Sequence, residues 1–330
     1  MKQYQPLEIV KYQHEYDADF SIDAEYQRRL SNVSAVVTQL HPLLDYKKDG
    51  RQTKQHPLFF IYTAEMVKLF SKFKCNSCEL VQVSQNLPKA AVSRFLDNLL
   101  LDEIISTNSI EGIKTDATEL SAIIKSIGDH PEEQEKRLGS MICMYQGKYR
   151  KINCLQDFRN IYDKLLKGEI PADKQPNGQL FRDTLADGTL RIGSTTKTVH
   201  VPPVSELAIS EALSSLIAFM NKDDLSAVYK ALVTHFFFEN THPFLDGNGR
   251  MGRYLLSTYL SGKYDRFTGF SVATAIHAQA SSYYRIFKDA GKAENRAELT
   301  FFIEEMLRIL TDQQDKVLNA LIHRQSFDFA

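Results

Sequence analysis

The chain has 330 residues, of which 43% are hydrophobic and 25% charged, and its formal net charge is −1. A chain of this length can bury a sizeable core in one large or two ordinary domains. The balanced charge excludes a strongly basic binder of polyanions and an acidic tail, and fifteen Gly and ten Pro are too few for a linker-rich protein.

The sequence also bears on location and on cysteine chemistry. Residues 1–6 lack the apolar core of a signal peptide, and no apolar run is long enough to span a membrane, so we expect a cytoplasmic protein without a membrane partner. Cys75 and Cys78 form a single C-x-x-C, and no second pair exists at a spacing that could complete a zinc site. We expect the cysteines to be reduced and mostly buried.

Apolar residues recur at three- and four-residue spacing along most of the chain, which predicts a mainly α fold. The predicted helices lie near 24–40, 57–73, 91–105, 117–127, 133–148, 155–167, 205–221, 224–239, 248–262, 271–290 and 297–322. A charged turn at 46–51 interrupts the first region. We expect an N-terminal helical extension over 1–100, a core over 101–295 and a C-terminal helix over 296–330. The apolar stripe of that last helix indicates core packing, with a dimer contact as the alternative.

The helix predicted near 91–105 runs into the segment Thr107–Gly112, which reads TNSIEG. Gly112 suits the left-handed residue that commonly ends a helix, so Glu111 is expected at the end of that helix. The segment fits the pattern S/T-x-x-x-E-G/N, which about one chain in three of this length contains by chance. A solvated carboxylate at a helix end is the alternative interpretation of Glu111.

Residues 178–203 contain short β-prone runs around Asp-Gly and Gly-Ser turn signals, which predict a β-hairpin. Two prolines at 202–203 end the hairpin, and an amphipathic helix begins near Ser205. An ordinary surface hairpin is the alternative interpretation of this pattern.

Residues 242–253 read HPFLDGNGRMGR and carry the strongest functional signal in the chain. Gly247 and Gly249 can adopt positive φ angles and allow a ligand to approach the backbone closely. The apolar residues that follow recur at helical spacing, so the Gly-Asn-Gly turn is expected at a helix N-terminus. Free N–H groups and the helix dipole at that position favour an anion such as pyrophosphate.

The side chains of the same segment suit phosphate chemistry. Arg250 and Arg253 lie on the first turn of the predicted helix, where cations oppose the dipole, and an anionic ligand explains them better than helix stability does. Asp246 could hold Mg²⁺ between two phosphates. His242 could accept a proton from an incoming hydroxyl near pH 7. Phe244 is expected to anchor the loop in the core.

At these residues the chain resembles Fic-domain proteins of the Fic/Doc superfamily, over the full signature and more loosely from about residue 100 to 290. The resemblance implies a Fic-type helical bundle with a small β-hairpin flap. It implies transfer of AMP from ATP to a Ser, Thr or Tyr hydroxyl of a target protein, with pyrophosphate leaving. The implied roles are general base for His242, Mg²⁺ binding for Asp246, anion hole for Gly247, Asn248 and Gly249, and contact with the outer phosphates for Arg250 and Arg253.

The resemblance also implies regulation and a docking site. In the family, an inhibitory helix precedes the core, so that the Thr107–Gly112 motif would bring Glu111 against Arg253 and hold this arginine away from the γ-phosphate. The hairpin at 178–203 would be the flap whose edge pairs with the backbone of the target protein. A homodimer is also compatible with the resemblance.

Two other functions remain open from the sequence. In a hydrolase that removes AMP from a modified protein, Glu111 would orient a water molecule rather than only block Arg253. A non-catalytic nucleotide-binding regulator is the second alternative, and it needs a DNA-binding module. The candidate stretch at 81–95 has only Lys89 and Arg94 as basic residues, too few to clamp phosphates, so we expect no nucleic-acid partner.

Overall fold

The structure, a computed structural model, describes residues 4–46, 51–127, 137–185, 190–194, 197–222 and 224–328. This part of the chain is mainly helical, as the sequence predicts. Its helices are α1 (Leu7–Gln13), α2 (Ile22–Leu30), α3 (Ala64–Gln85), α4 (Lys89–Ile110), α5 (Ala117–Ser126), α6 (Arg137–Gln146), α7 (Leu155–Leu165), α8 (Glu206–Met220), α9 (Ala227–Thr241), α10 (Asn248–Lys263), α11 (Arg266–Gly269), α12 (Val272–Ala278), α13 (Ala280–Ala290) and α14 (Thr300–Asp328). The helices of the described residues include none that is both long and apolar enough to cross a membrane.

The strands of the described residues form three short antiparallel pairs. They are β1 (Ala35–Val37), β2 (Leu44–Asp45), β3 (Gln52–Thr53), β4 (Phe59–Ile61), β5 (Ile192–Ser194) and β6 (Lys197–His200). β1 pairs with β4, β2 with β3, and β5 with β6. The last pair is the hairpin predicted within 178–203. The predicted turn residues 47–50 and 187–188 lie outside the described residues.

Helix α9 lies at the centre of the bundle. Its sequence, AVYKALVTHFFFENT, is apolar on nearly every side, and nearly all of its side chains are buried. Such a helix is typical of one surrounded by protein. It packs against α8 and α10, while α14 packs along α3. The connection between α9 and α10, which carries the signature segment, is therefore held by the core on both sides.

Three of the predicted helices are wrong in part. The helix predicted at 24–40 is α2 followed by strand β1, and the one predicted at 57–73 contains strand β4 before α3 begins. Val36 pairs with Phe60 in that sheet, and β-branched and aromatic residues favour strands when a partner is available. The helix predicted at 271–290 is interrupted at Gln279, whose ψ of 35° does not continue α12.

The expectation of mostly buried cysteines is also wrong. Cys75, Cys78 and Cys154 are exposed, and Cys143 is partly buried. Cys75 and Cys78 lie on α3, which buries a stripe of other residues at helical spacing against the core. The two thiols fall outside that stripe, so the helix turns them to solvent.

Glu103 ties helix α4 to the start of α12. Its Oε2 accepts hydrogen bonds from the amides of Ala273, at 2.7 Å, and Thr274, at 3.2 Å. These amides belong to the first turn of a helix, where backbone donors have no intrahelical partner. The side chain is fully buried, and burial raises the pKa of Glu103 to about 8. Two helical turns further along, α4 ends at the predicted regulatory segment.

The raised pKa of Glu103 predicts a pH-dependent stability. The folded protein keeps this proton up to pH about 8, whereas the unfolded chain releases it near its ordinary value of about 4.3. The free energy of unfolding should therefore fall as pH rises between these values, by at most about 1.4 kcal/mol per pH unit from this group. The Glu103→Gln variant still accepts hydrogen bonds from both amides. Its free energy of unfolding, measured with urea, should therefore rise relative to that of the parent protein as pH increases over this range. Parallel pH curves for the two proteins would contradict the assignment.

Candidate active site

His242 ends helix α9 in a left-handed conformation, with φ of 48°. Its amide donates to the carbonyl of Phe238 at 2.9 Å, and its own carbonyl accepts from Nε of Arg182 at 2.7 Å. The side chain is partly buried. Burial, and then the positive charge of Arg182 and the neighbouring His200, hold the pKa of His242 well below its usual range. The imidazole is therefore neutral near pH 7, the form that can accept a proton.

The loop after His242 is closed by the side chain of Asn248. The Nδ2 of Asn248 donates to the carbonyl of Phe244 at 2.8 Å, and the Oδ1 of Asn248 accepts from the backbone N–H of Phe244 at 2.9 Å. Phe244 is fully buried and stacks on Tyr162 with 3.7 Å between ring centroids. Phe244 thus lies where an anchor is expected. The loop-closing role of Asn248 is not visible in the sequence, because the resemblance draws attention only to its position in the anion hole.

Helix α10 begins at the glycine-flanked turn, as expected. Gly247 is its N-cap, with φ of 82°, and the helix has no side-chain cap. A β-carbon on Gly247 would lie 2.3 Å from Cδ1 of Leu166, so both the backbone angle and the packing require glycine here. The amides of the first helical turn have no intrahelical partner, and they leave an anion-binding end facing the loop.

Arg250 is a buried cation beside this helix start. Its side chain is 1% exposed, and its Nη1 donates to Oε2 of Glu169 at 3.2 Å. Nη2 lies 3.5 Å from Oδ1 of Asp246. Nε and Nη2 are buried and have no hydrogen-bond partner among the described residues. A buried guanidinium with unused donors is suited to receive phosphate oxygens. Glu169 is a partner that the sequence does not reveal.

Asp246 is the residue that fits a bound cation. Its side chain is 41% exposed, and one carboxylate oxygen accepts the N–H of Gly247. No group of three or more His, Cys, Asp or Glu side chains in the described ranges is arranged to hold a metal. Mg²⁺ is commonly held by one or two carboxylates together with substrate phosphates and water, and Asp246 is placed to contribute one such carboxylate.

Arg253 is bound by the end of helix α4. Its Nε donates to Oγ1 of Thr107 at 2.9 Å, and its Nη2 donates to the Thr107 carbonyl at 3.1 Å and to Oε1 of Glu111 at 2.6 Å. Arg253 is 2% exposed, whereas the Glu111 side chain is 31% exposed. The neighbouring Gly112, with φ of 72°, ends the helix, and a β-carbon there would contact nothing within 4 Å.

Glu111 also lies against the start of α10. A β-carbon built on Gly249 would be 2.2 Å from Oε1 of Glu111 and 2.9 Å from Nη1 of Arg253. The carboxylate therefore covers the glycine turn at which the helix start favours an anion. The structure thus brings the end of α4 and the signature segment together, although they are far apart in the chain.

A cluster of polar side chains lies behind Arg253. Oε1 of Glu239 is buried without a hydrogen-bond partner among the described residues, and burial raises the pKa of Glu239 to about 8. His235 is buried, and burial lowers its pKa to about 3. Its Nδ1 faces the carbonyl of Gly252 at 3.2 Å, and Nε2 faces the hydroxyl of Tyr283 at 2.9 Å. These contacts suit a neutral imidazole that donates from Nδ1 and accepts at Nε2.

The hairpin of β5 and β6 lies beside the end of α9. His200 of β6 is partly buried and contacts Asp45 through Nδ1 and the Asn240 carbonyl through Nε2, the latter at 2.8 Å. The side chain of Asn240 in turn binds the backbone of Leu43. The N-terminal region thus supports both the flap and the helix that carries His242.

Comparisons with known proteins agree with this geometry. The Fic/DOC family matches residues 151–260. A protein adenylyltransferase Fic from Drosophila ananassae is 24% identical over 238 residues, which cover 70% of this chain and 43% of that protein. Its counterpart from Drosophila erecta is 26% identical over 141 residues, 42% of this chain and 26% of that protein. The chain therefore spans less than half the length of these curated relatives.

Solved structures share the fold. A Fic family protein from Desulfovibrio desulfuricans has a TM-score of 0.60 at 21% identity, covering 78% of this chain and 75% of that one. A Fic-domain-containing signalling protein from Bacteroides thetaiotaomicron has a TM-score of 0.51 at 17% identity, and the match covers 79% of this chain and 97% of that one. The family match therefore identifies residues 151–260 as a Fic/DOC domain, which contains the signature at the junction of α9 and α10.

Proposed function

We propose that the chain is an autoinhibited protein adenylyltransferase that uses ATP and Mg²⁺. The observation that carries the proposal is the arrangement around the start of α10. A neutral His242, a partly exposed Asp246 and the buried Arg250 surround an uncapped helix end, and Glu111 binds Arg253 across it. The names of the curated relatives, protein adenylyltransferase Fic, support the same reaction.

In the proposed reaction, a hydroxyl oxygen of the target protein attacks the α-phosphorus of ATP. His242 takes the hydroxyl proton as the new P–O bond forms. The bond between the α-phosphorus and the oxygen that bridges to the β-phosphate breaks, and pyrophosphate leaves. The amides at the start of α10 and the two arginines stabilise the developing negative charge. Mg²⁺, held by Asp246, would neutralise charge on the phosphates. A target that extends its backbone along the flap at 178–203 would bring its hydroxyl near His242.

The contacts of Glu111 support the proposed autoinhibition. Its carboxylate engages Arg253 and occupies the surface of Gly249, so that Arg253 is not available to the γ-phosphate. A charge-assisted hydrogen bond contributes about 1.5–3 kcal/mol, which corresponds to roughly 10–150-fold in rate if it must break before transfer.

The proposal is tested with ATP labelled at the α-phosphate. Parent protein, Glu111→Gly and the double variant Glu111→Gly/His242→Ala are incubated with Mg²⁺ and host lysate. We expect Glu111→Gly to label itself or a lysate protein at least about 10-fold faster than the parent, and the double variant to label neither. Glu119→Gly, which removes an exposed carboxylate of α5, is the matched control and should behave as the parent.

Two outcomes would overturn the proposal. If Glu111→Gly binds ATP but transfers no label, AMP transfer is the wrong reaction. If the parent releases AMP from a modified protein and Glu111→Gly does not, the chain is the hydrolase in which Glu111 orients water. If the target is labelled by ATP that carries the label at the γ-phosphate and not by ATP labelled at the α-phosphate, the chain is a phosphotransferase.

A further inference from the structure

Arg182 lies near the start of the flap at 178–203, before strand β5, and is 1% exposed. It forms no ion pair with an acidic side chain among the residues that the structure describes, and burial lowers its pKa to about 10. Buried guanidinium groups are normally paired with a carboxylate, because desolvation of an unpaired charge is unfavourable. The groups that Arg182 contacts instead of a carboxylate therefore explain why it is buried here.

Those groups are three consecutive carbonyls at the end of helix α9. The Arg182 Nε donates to the carbonyl of His242 at 2.7 Å, and Nη2 donates to the carbonyl of Thr241 at 3.4 Å. The backbone N–H of Arg182 donates to the carbonyl of Pro243 at 3.0 Å. Carbonyls at a helix C-terminus lack intrahelical donors. Arg182, from a distant segment of the chain, supplies the missing donors. These contacts hold the chain where His242 turns into its left-handed conformation.

The segment that carries Arg182 is itself held firmly. The carboxylate of Glu206, in the first turn of α8, accepts the amides of Gln179, Leu180 and Phe181 at 2.8, 2.5 and 2.9 Å. The ring of Phe181 is buried and packs edge-on against Phe244 at 5.7 Å. The backbone that carries Arg182 is thus fixed in place. The contacts of its guanidinium with the end of α9 therefore have a defined geometry.

We propose that Arg182 is a positioning residue of the transfer reaction, whose guanidinium sets the place of the His242 imidazole by holding the carbonyls at the end of α9. This inference rests on the proposed function. It adds a residue that lies outside the signature and contacts the proposed base through its backbone alone. A displacement of about 1 Å at a reacting group commonly lowers a rate by about 100-fold, so the geometry of this turn matters for the reaction.

Arg182 has a second, electrostatic effect on the same histidine. The groups that act on the His242 ring are Arg182, His200 from β6 and the backbone carbonyl of Glu239 from α9. The Arg182 guanidinium and the neighbouring His200 disfavour the imidazolium, whereas the carbonyl favours it. Removal of the Arg182 charge should therefore raise the pKa of His242. A residue that only stabilised the fold would not change this titration.

The test uses Arg182→Lys and Arg182→Gln in the Glu111→Gly background. Both variants should lower kcat for AMP transfer by about 10–100-fold with little change in KM for ATP, because the misplaced group is the base. In Arg182→Gln, the acidic limb of the pH–rate profile should move up by about one pH unit; in Arg182→Lys, which keeps the charge, it should stay. Arg159→Gln is the matched control, since Arg159 donates to the carbonyls of Gln179 and Leu180 but not to His242.

A second measurement does not depend on transfer. The pKa of His242 is read by NMR titration of ring-labelled histidine in the parent protein and in Arg182→Gln, with circular dichroism to establish folding. A raised His242 pKa in folded Arg182→Gln supports the proposal even if no AMP transfer is found. An unchanged pKa together with an unchanged kcat overturns it, as does a loss of activity that only follows a loss of folded protein.

Discussion

In a Glu111→Gly background, His242→Ala is expected to lower AMP transfer by about 10²–10⁴-fold, with ATP binding retained. In the proposed reaction the side chain supplies the neutral base, whereas the contacts of this residue with Phe238 and Arg182 are made by its backbone and survive truncation. Steady-state labelling with α-labelled ATP measures the transfer, and isothermal titration measures ATP binding.

The control for this experiment is His242→Asn. Asparagine tolerates the left-handed backbone that His242 adopts, so this variant removes the base with the least strain at φ of 48°. Both variants should be equally inactive. Transfer at the rate of the Glu111→Gly protein by either one would show that the base is another group. The lowered pKa of His242 also implies that transfer by Glu111→Gly stays active to pH values well below 6.5, since the base remains unprotonated there.

Arg250→Gln is expected to have the largest effect on stability. Arg250 and Glu169 are each 1% exposed, and removal of Arg250 takes the guanidinium away from the buried carboxylate of Glu169. Such a change typically costs about 3–5 kcal/mol in the free energy of unfolding, and transfer should be lost as well. Urea unfolding followed by circular dichroism measures the stability.

The double variant Arg250→Gln/Glu169→Gln separates the two roles of Arg250. It replaces the buried ion pair by two neutral side chains that can hydrogen-bond to each other, so most of the lost stability should return. Transfer in the Glu111→Gly background should remain at least about 100-fold below that of the protein with Arg250, because the cation toward the phosphates is still missing. Recovery of transfer together with stability would mean that Arg250 serves only the fold.

The elements that could be predicted are those whose signals are local. Helices α5, α7, α8, α9 and α10 lie close to their predicted bounds, because apolar spacing and caps act within a few residues. The signature segment is contiguous, so the glycine turn and the start of α10 follow from its sequence. The division into 1–100, 101–295 and 296–330 stays a prediction, and helix α4 runs through its first boundary.

The partners of the site were beyond prediction from local patterns. Arg182 and His242 are 60 residues apart, and Glu169 and Arg250 are 81 apart. The sequence alone supplied residue types suited to these contacts, and only for Glu111, 142 residues from Arg253, did a family resemblance indicate the pairing. Which carboxylate or carbonyl meets which guanidinium depends on how the helices pack.

Local chemistry thus specified the helical class, the signature loop and the candidate base, because these depend on neighbours within one or two helical turns. Packing specified the rest. Pairing with β4 made a strand of β1, the buried stripe of α3 turned its cysteines outward, and the fold brought Arg182 to the end of α9. Burial and long-range hydrogen bonds arise only when distant segments meet, so the electrostatic setting of His242 depends on the complete tertiary structure.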